Sequence, residues 1–389
     1  MKEKTILFSL YLFILLGIYA SWQIFGVGVG VTNLNNQFVF GLWIILDLCF
    51  IALGSGAFCL GFLYYILGWK ELKTLVPLSL ALGLVCYGAA GYILLLEIGQ
   101  PLRFWFPFRH PNFVSMLTEI TFCISLYSLV LILEFLPRLL GHKGLAANLT
   151  AKSLNQRLLA IMPLLAGLGV LLSLLHQGSL GGVYGVLFAR PFAWRPGIYI
   201  WPWTFILFIT SAIAAGPLFT VLVAKIIEKL TRRELISTQI ITSISRFCSI
   251  FLGVNLVLRV ADLLAWKYWL LPKTAYSFED MFHGLAFGKW LIYAELLPFT
   301  LLPLLMLSVP RLRKTAHIFS IAGVLACAGL VTNRYIINLQ TMAVPTLPFD
   351  AWETYWPNGY ELAPCLMAFA GMILVLRFFY KQNLLFKKM

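Results

Sequence analysis

The chain has 389 residues, of which 61% are hydrophobic and 11% charged, and its mean hydropathy is +0.89. A water-soluble domain carries roughly 25% charged residues, so this composition excludes a soluble fold and makes lipid the solvent. The net charge of +14 would suggest nucleic acid in a soluble protein; here the basic residues fall between apolar runs, which reads as topogenic charge and not as a nucleic-acid surface.

Ten apolar stretches of membrane-crossing length follow one another: Thr5–Phe25, Phe38–Leu67, Thr74–Ile98, Phe113–Leu136, Leu158–Gln177, Tyr199–Ala224, Phe247–Trp266, Phe287–Val309, Thr315–Leu339 and Gly359–Tyr380. The first follows Met1-Lys2-Glu3-Lys4 like a signal peptide but lacks a small-x-small cleavage site, so it is expected to remain as a span. The expected fold is all-α, a single polytopic membrane domain over 1–389. Spans 2–5 and 6–9 run in the same directions and echo each other weakly, with Glu97 against Asp262 and Glu119 against Glu295. That suggests two related four-helix bundles, 38–177 and 199–339, with 5–25 and 359–380 as peripheral helices.

Lys and Arg fix the expected orientation. With the N-terminus inside, 20 basic residues face the cytoplasm, 7 face outward, and Arg259 and Arg334 lie within spans. This bias predicts an inner-membrane protein with both termini cytoplasmic. Three outer loops, around Gln100–Pro111, Gly178–Pro196 and Val344–Asn358, are long and rich in Trp, Pro and Gly. An aromatic belt and a partner-docking surface explain them equally well.

Ionisable residues within spans cost roughly 2.5–3.5 kcal/mol each on insertion, which makes them functional candidates. Asp47, Glu97, Glu119, His176, Arg259, Asp262, Glu295, Arg334 and Glu361 all fall in the outer half by this topology; Glu134 alone lies in the inner half, near enough to the interface to snorkel. Arg259 and Asp262, at i and i+3, can pair on one helix face, and Arg334 is a candidate partner for Glu295. Such pairs often serve packing alone. The carboxyls of Asp47, Glu97 and Glu119 have no comparable basic partner besides His176 and the Arg103 end of the loop after span 3, which points to proton chemistry.

The seven cysteines all lie in apolar runs without a CxxC pair, so neither iron–sulfur nor zinc binding is signalled. Of five histidines only His176 sits at a span, against a bis-histidine haem, and no CxxCH attaches haem covalently. Gly26-x-Gly28-x-Gly30 opens no nucleotide fold. The chain is expected to hold no metal, haem or cluster of its own.

Several runs carry a resemblance. Ile98-Gly99-Gln100-Pro101-Leu102-Arg103 follows Glu97; Ser115-Met116-Leu117-Thr118-Glu119 opens span 4 and Glu134-Phe135-Leu136-Pro137 closes it; His176-Gln177-Gly178-Ser179-Leu180-Gly181-Gly182 leads to Arg190-Pro191-Phe192 and Trp201-Pro202-Trp203. Over nearly its whole length the chain resembles the NrfD/PsrC family of polysulfide-reductase-type membrane subunits. The ten-span layout looks like the branch with the hydrogenase 2 membrane subunit, and the His176 stretch looks closest to the DsrP branch, membrane subunits of the DsrMKJOP complexes of sulfur metabolism. The resemblance implies a cofactor-free subunit that binds menaquinone near the outer face and exchanges electrons with a periplasmic ferredoxin-like iron–sulfur subunit. The DsrP likeness implies further partners: a multihaem cytochrome c, a haem b membrane subunit and a cytoplasmic iron–sulfur catalytic subunit. On this reading His176 meets the quinone oxygen, with Gln177 in support and Tyr184 bonding the ring. Asn36 and Trp43 line the pocket, Asp47 and Glu119 carry protons, and Glu97 is their exit. Asp262 and Glu295, with Arg259 and Arg334, are candidates for an extended proton route. The competing functions are a secondary transporter, which usually keeps its polar groups near the midplane, and a structural anchor of a redox complex.

Overall fold

A computed structural model of the chain describes residues 2–142, 148–186, 197–198, 201–345, 347 and 349–386. Among the described residues ten helices are long and apolar enough to cross a membrane: Glu3–Val27, Leu42–Tyr65, Val76–Glu97, Met116–Leu140, Met162–Tyr184, Trp203–Thr231, Thr238–Lys273, Trp290–Ser308, Ala316–Gln340 and Gly359–Lys381, here spans 1 to 10. The protein is an all-helical, multi-pass membrane protein; among the described residues the sole strands are the antiparallel two-residue pair Gly197–Ile198 and Trp201–Pro202. An even number of spans puts both termini on one side, called the termini face below; the other is the distal face.

Spans 2–5 pack around one another, as do spans 6–9, and the two groups meet through spans 2 and 5 on one side and spans 6 and 9 on the other. Span 10 lies along span 1 and against span 3. Spans 2 and 6 cross closely where Gly56 meets Gly216: a Cβ on Gly216 would fall 2.5 Å from the Gly56 nitrogen. Ser55 reinforces this crossing by donating its hydroxyl to the Ala212 carbonyl at 2.7 Å. Small residues at a helix crossing let backbones touch where hydrophobic drive between helices is weak.

Four boundaries differ from expectation. Span 5 does not end at Gln177; its helix continues through the glycine run to Val186. Those glycines are there for contact and not for a turn: a Cβ on Gly178 would fall 2.2 Å from the Phe205 ring, and one on Gly181 2.3 Å from the Thr204 carbonyl oxygen. The described part of the expected outer loop from Gly178, residues 178–186, is therefore helix. Span 5 is also preceded by a separate polar helix, Leu149–Ala160, whose Asn148 cap accepts from the Thr150 and Ala151 amides. Span 7 starts at Thr238 instead of Phe247, capped by Ser237, because Ile240, Ile241 and Ile244 are buried beneath an otherwise polar turn sequence. Span 6 starts at Trp203. Arg190-Pro191-Phe192 and the basic residues Lys143, Arg190, Arg195, Lys387 and Lys388 lie outside the described residues.

On the distal face the connections are tied together. Asn33 donates to the Trp356 carbonyl at 2.8 Å, Asn35 to Glu353 at 3.0 Å, and Thr354 to the His283 carbonyl at 2.7 Å. Asn358 and Glu361 form a capping box that starts span 10. The Tyr355 hydroxyl donates to Glu361 and accepts from the Leu42 amide at 2.8 Å. Burial, together with the Glu361 carboxylate, holds the Tyr355 phenol well above the ordinary tyrosine value. The connection between spans 3 and 4 differs, exposing Leu102, Phe104, Phe113 and Val114.

Candidate functional site

In the distal half, spans 2, 3, 4 and 5 enclose a cavity of about 230 Å³. Its wall is mostly aliphatic, with Ile44, Leu48, Ile120 and Leu180 among the lining side chains, and its polar groups are few: Asp47, Glu97, His176 and Tyr184. A mainly apolar cavity with a few convergent polar groups is the usual form of a small-molecule site.

Helical spacing brings these groups together. Asp47 and Ile51 lie one turn apart on span 2, and His176, Leu180 and Tyr184 are successive i, i+4 positions on span 5. The continuation of span 5 past Gln177 is what places Tyr184 in the wall. His176 is fully buried, and neither ring nitrogen has a hydrogen-bond partner among the described residues. The same holds for Oδ1 of Asp47 and both carboxyl oxygens of Glu97. Leaving such groups unmade costs about 1–3 kcal/mol each, more when charged, so a cluster of them around one cavity is a site prepared for a polar ligand or water. The Tyr87 ring stands edge-on to His176 at 5.7 Å, and Tyr127 to Tyr87 at 4.7 Å. The hydroxyls of Tyr87, Tyr127 and Ser173 are buried nearby, with Ser173 beside the Tyr87 hydroxyl and the Phe58 backbone beside that of Tyr127.

Other residues named from the sequence fall elsewhere. Gln177 is buried with its amide unpartnered among the described residues, but one step along a helix turns it about 100° from His176, and it does not line the cavity. Trp43 is buried and donates its indole N–H to the Glu361 carbonyl at 3.0 Å. Asn36 is exposed and Glu119 half-buried; neither lines the cavity. Glu134 does not snorkel. It is 5% exposed and lines a second cavity of about 370 Å³ at the termini face, with Tyr65, Lys73 and Arg138.

The expected pairing of Arg334 with Glu295 is not formed. Arg259 takes both oxygens of Glu295, at 2.9 and 3.1 Å, and reaches Asp262 at 3.0 Å. The turn after Glu295 widens to a π-helix over Leu297–Leu301, where Pro298 supplies no N–H and the Thr300 hydroxyl bonds the Glu295 carbonyl at 2.7 Å. Asn333 bridges the remainder, donating to Glu295 at 2.6 Å and accepting from Arg334 at 2.7 Å. Arg334 also donates to Ser211 at 2.9 Å and lies 3.5 Å above the Phe208 ring, which stacks on Tyr184 at 6.1 Å. The two cations and two carboxylates thus balance, and the cluster abuts the cavity wall from behind.

Sequence reasoning missed Asn338. It accepts the Tyr184 hydroxyl at 2.7 Å and donates to the Phe40 carbonyl at 3.0 Å, joining two residues of the cavity wall. It is a neutral amide near the distal end of span 9, where no charge marked it in the sequence.

Residues 30–345 match the family described as Polysulphide reductase, NrfD. The chain belongs to the NrfD family. It is 44% identical to the menaquinone reductase integral membrane subunit of Nitratidesulfovibrio vulgaris (Hildenborough), over 97% of this chain and 91% of the relative. It is 23% identical to a selenate reductase subunit of Mesobacillus selenatarsenatis, over 95% and 90% of the two chains. It is 25% identical to the probable Ni/Fe-hydrogenase 2 b-type cytochrome subunit of Escherichia coli K12, over 81% and 76%. That last name includes a haem protein, yet the histidines here do not fit a haem held between spans by a histidine pair. His110, His283 and His317 are exposed and His142 lies at the termini face, leaving His176 as one buried imidazole.

Proposed function

We propose that this chain is the quinone-reactive membrane subunit of a respiratory redox complex, exchanging electrons between menaquinone and a periplasmic iron–sulfur partner. The observation that carries the reading is the cavity of spans 2–5, where His176, Asp47 and Glu97 present unpartnered polar atoms among aliphatic side chains. A quinone ring needs an apolar slot, and its two-electron interconversion with the quinol moves two protons, so an acid or base within hydrogen-bond reach is required. His176 is assigned to the quinone oxygen and Asp47 to the proton, with Glu97 leading towards the distal surface. The name of the 44%-identical relative supports menaquinone as the substrate. The reaction is therefore written to menaquinone; a link to sulfur metabolism, with a multihaem cytochrome c, a haem b membrane subunit and a cytoplasmic iron–sulfur subunit, rests on the DsrP resemblance alone.

On this reading the distal face is periplasmic, the termini are cytoplasmic, and the membrane is the inner one, supported by the Lys/Arg bias. The exposed apolar residues between spans 3 and 4 flank Ile98 and Leu117 of the cavity wall and form the docking place of the partner. A proton route from the cytoplasm is also part of the proposal. It enters at Glu134, passes Tyr127 and Tyr87, and reaches His176, with water linking the buried hydroxyls. The Arg259–Asp262–Glu295–Arg334 cluster is assigned to packing, because its charges are already paired or bonded. The two four-helix groups are read as a duplicated unit.

The test is quinol-driven reduction of the partner's cluster in the purified complex. A His176→Ala variant that assembles normally is expected to lose at least about 10²-fold in rate. Full activity in that variant contradicts the assignment.

A further inference from the structure

Asn338 fixes what Tyr184 can offer a ligand. The Phe40 carbonyl accepts hydrogen bonds and cannot donate, so the Asn338 amide nitrogen must face it, at 3.0 Å. The amide oxygen is thereby turned to Tyr184, whose hydroxyl lies 2.7 Å away and must donate. Asn338 is fully buried and Tyr184 is 2% exposed, so no bulk water competes for this bond. A tyrosine hydroxyl has one hydrogen, and here it is spent. Towards the cavity that Tyr184 lines, the phenol oxygen has lone pairs only.

The packing behind Tyr184 holds this arrangement. Its ring stacks on Phe208, and Phe208 is covered by the Arg334 guanidinium. Asn338 sits one helical turn from Arg334 on span 9, and Arg334 is anchored to Asn333 and Ser211. Rotating the Tyr184 hydroxyl into the cavity would strand the Asn338 oxygen unbonded in a buried site, which disfavours that rotation.

Quinone and quinol differ in what they ask of such a wall. A quinone oxygen only accepts, whereas a quinol hydroxyl donates. We propose that Asn338, by holding Tyr184 as a hydrogen-bond acceptor, makes the cavity discriminate in favour of the reduced, hydroxyl-bearing form of its ligand. The proposal rests on the quinone reading of the cavity and adds to it a specificity-determining residue on the second four-helix group. Asn338 acts through Tyr184 and is a positioning residue; it does not touch the ligand. His176 can serve either form, since a neutral imidazole carries one donor and one acceptor.

The experiment measures binding of menaquinone-4, oxidised and reduced, to the full chain in lipid nanodiscs without oxygen, by quenching of tryptophan fluorescence. The wild-type chain is expected to bind the reduced form more tightly. Tyr184→Phe removes the acceptor while keeping the ring, and should narrow that preference roughly three- to tenfold, the effect of one hydrogen bond. Asn338→Leu frees the Tyr184 hydrogen and should narrow it at least as much, through tighter binding of the oxidised form. If Asn338→Leu fails to fold, the Tyr184→Phe ratio decides alone. An unchanged ratio in Tyr184→Phe overturns the proposal and leaves the quinone reading intact. Binding of neither form by the wild-type chain overturns both.

Discussion

Arg259→Met is the most demanding perturbation the fold offers. Arg259 makes three charge-assisted hydrogen bonds, two to Glu295 and one to Asp262, and all three side chains are at most 3% exposed. Methionine approximates the length but removes the charge, stranding two carboxylates in the interior. Glu295 would retain the Asn333 amide at 2.6 Å as a donor. Removing one side of a buried ion pair costs about 3–5 kcal/mol, because the partner's charge is left without compensation. The Arg259→Met/Glu295→Leu double variant removes both members and leaves one cation, Arg334, and one carboxylate, Asp262. Its cost should fall below the sum of the single costs, with a coupling of about 3 kcal/mol. The assay is a double-mutant cycle on the bicelle-reconstituted chain, unfolded with SDS and followed by tryptophan fluorescence. Costs that add to within about 0.5 kcal/mol would refute the pairing, as would an Arg259→Met chain as stable as wild type.

Three further outcomes follow from separate parts of the molecule. Gly216→Ala puts a methyl group against the Gly56 backbone, at contacts near 2.5 Å, and should cost about 1–3 kcal/mol of stability, read in the same SDS titration; the same substitution at Gly371, where nothing lies within reach, should be near neutral. Asp47→Asn removes a proton carrier from the cavity and should slow quinol-driven cluster reduction by about 10²-fold or more without lowering the binding of menaquinone-4. Tyr355→Phe breaks the bonds to Glu361 and from the Leu42 amide and should cost about 1–3 kcal/mol. Because the folded phenol is held above its ordinary value of about 10, that stabilisation is present in full below about pH 10 and is lost only as pH rises through the folded value. The penalty, measured by thermal unfolding, should therefore be constant from about pH 6 to 9.

The ten spans were legible because lipid demands long apolar runs and the helices meet that demand almost uniformly. The wall of the cavity was legible in part: Asp47, Glu97 and His176 stood out as ionisable residues in apolar surroundings, and their cost in lipid is itself the signal. What lay hidden depends on contact. The glycines after Gln177 read as a turn, since the sequence does not reveal that Phe205 and Thr204 press against them. Arg334 and Glu295 were natural partners by charge, but Arg259 reaches Glu295 with a two-pronged geometry that leaves Arg334 to Asn333, Ser211 and Phe208. Trp43 and Asn36 were placed near the cavity by their position at the start of span 2; helical phase turns Trp43 towards Glu361. Neutral amides such as Asn333 and Asn338 carry no charge signature, so their part in joining the two helix groups emerges only in three dimensions.

Photoaffinity labelling of the complex with an azido-naphthoquinone, followed by peptide mapping, tests the central claim most directly. Label is expected on residues 40–51, 94–98, 117–124 and 176–184, the four segments that line the cavity, with competition by unlabelled menaquinone-4. Label confined to the termini-face cavity around Glu134, or to the outer groove between spans 1, 3 and 10, would contradict it.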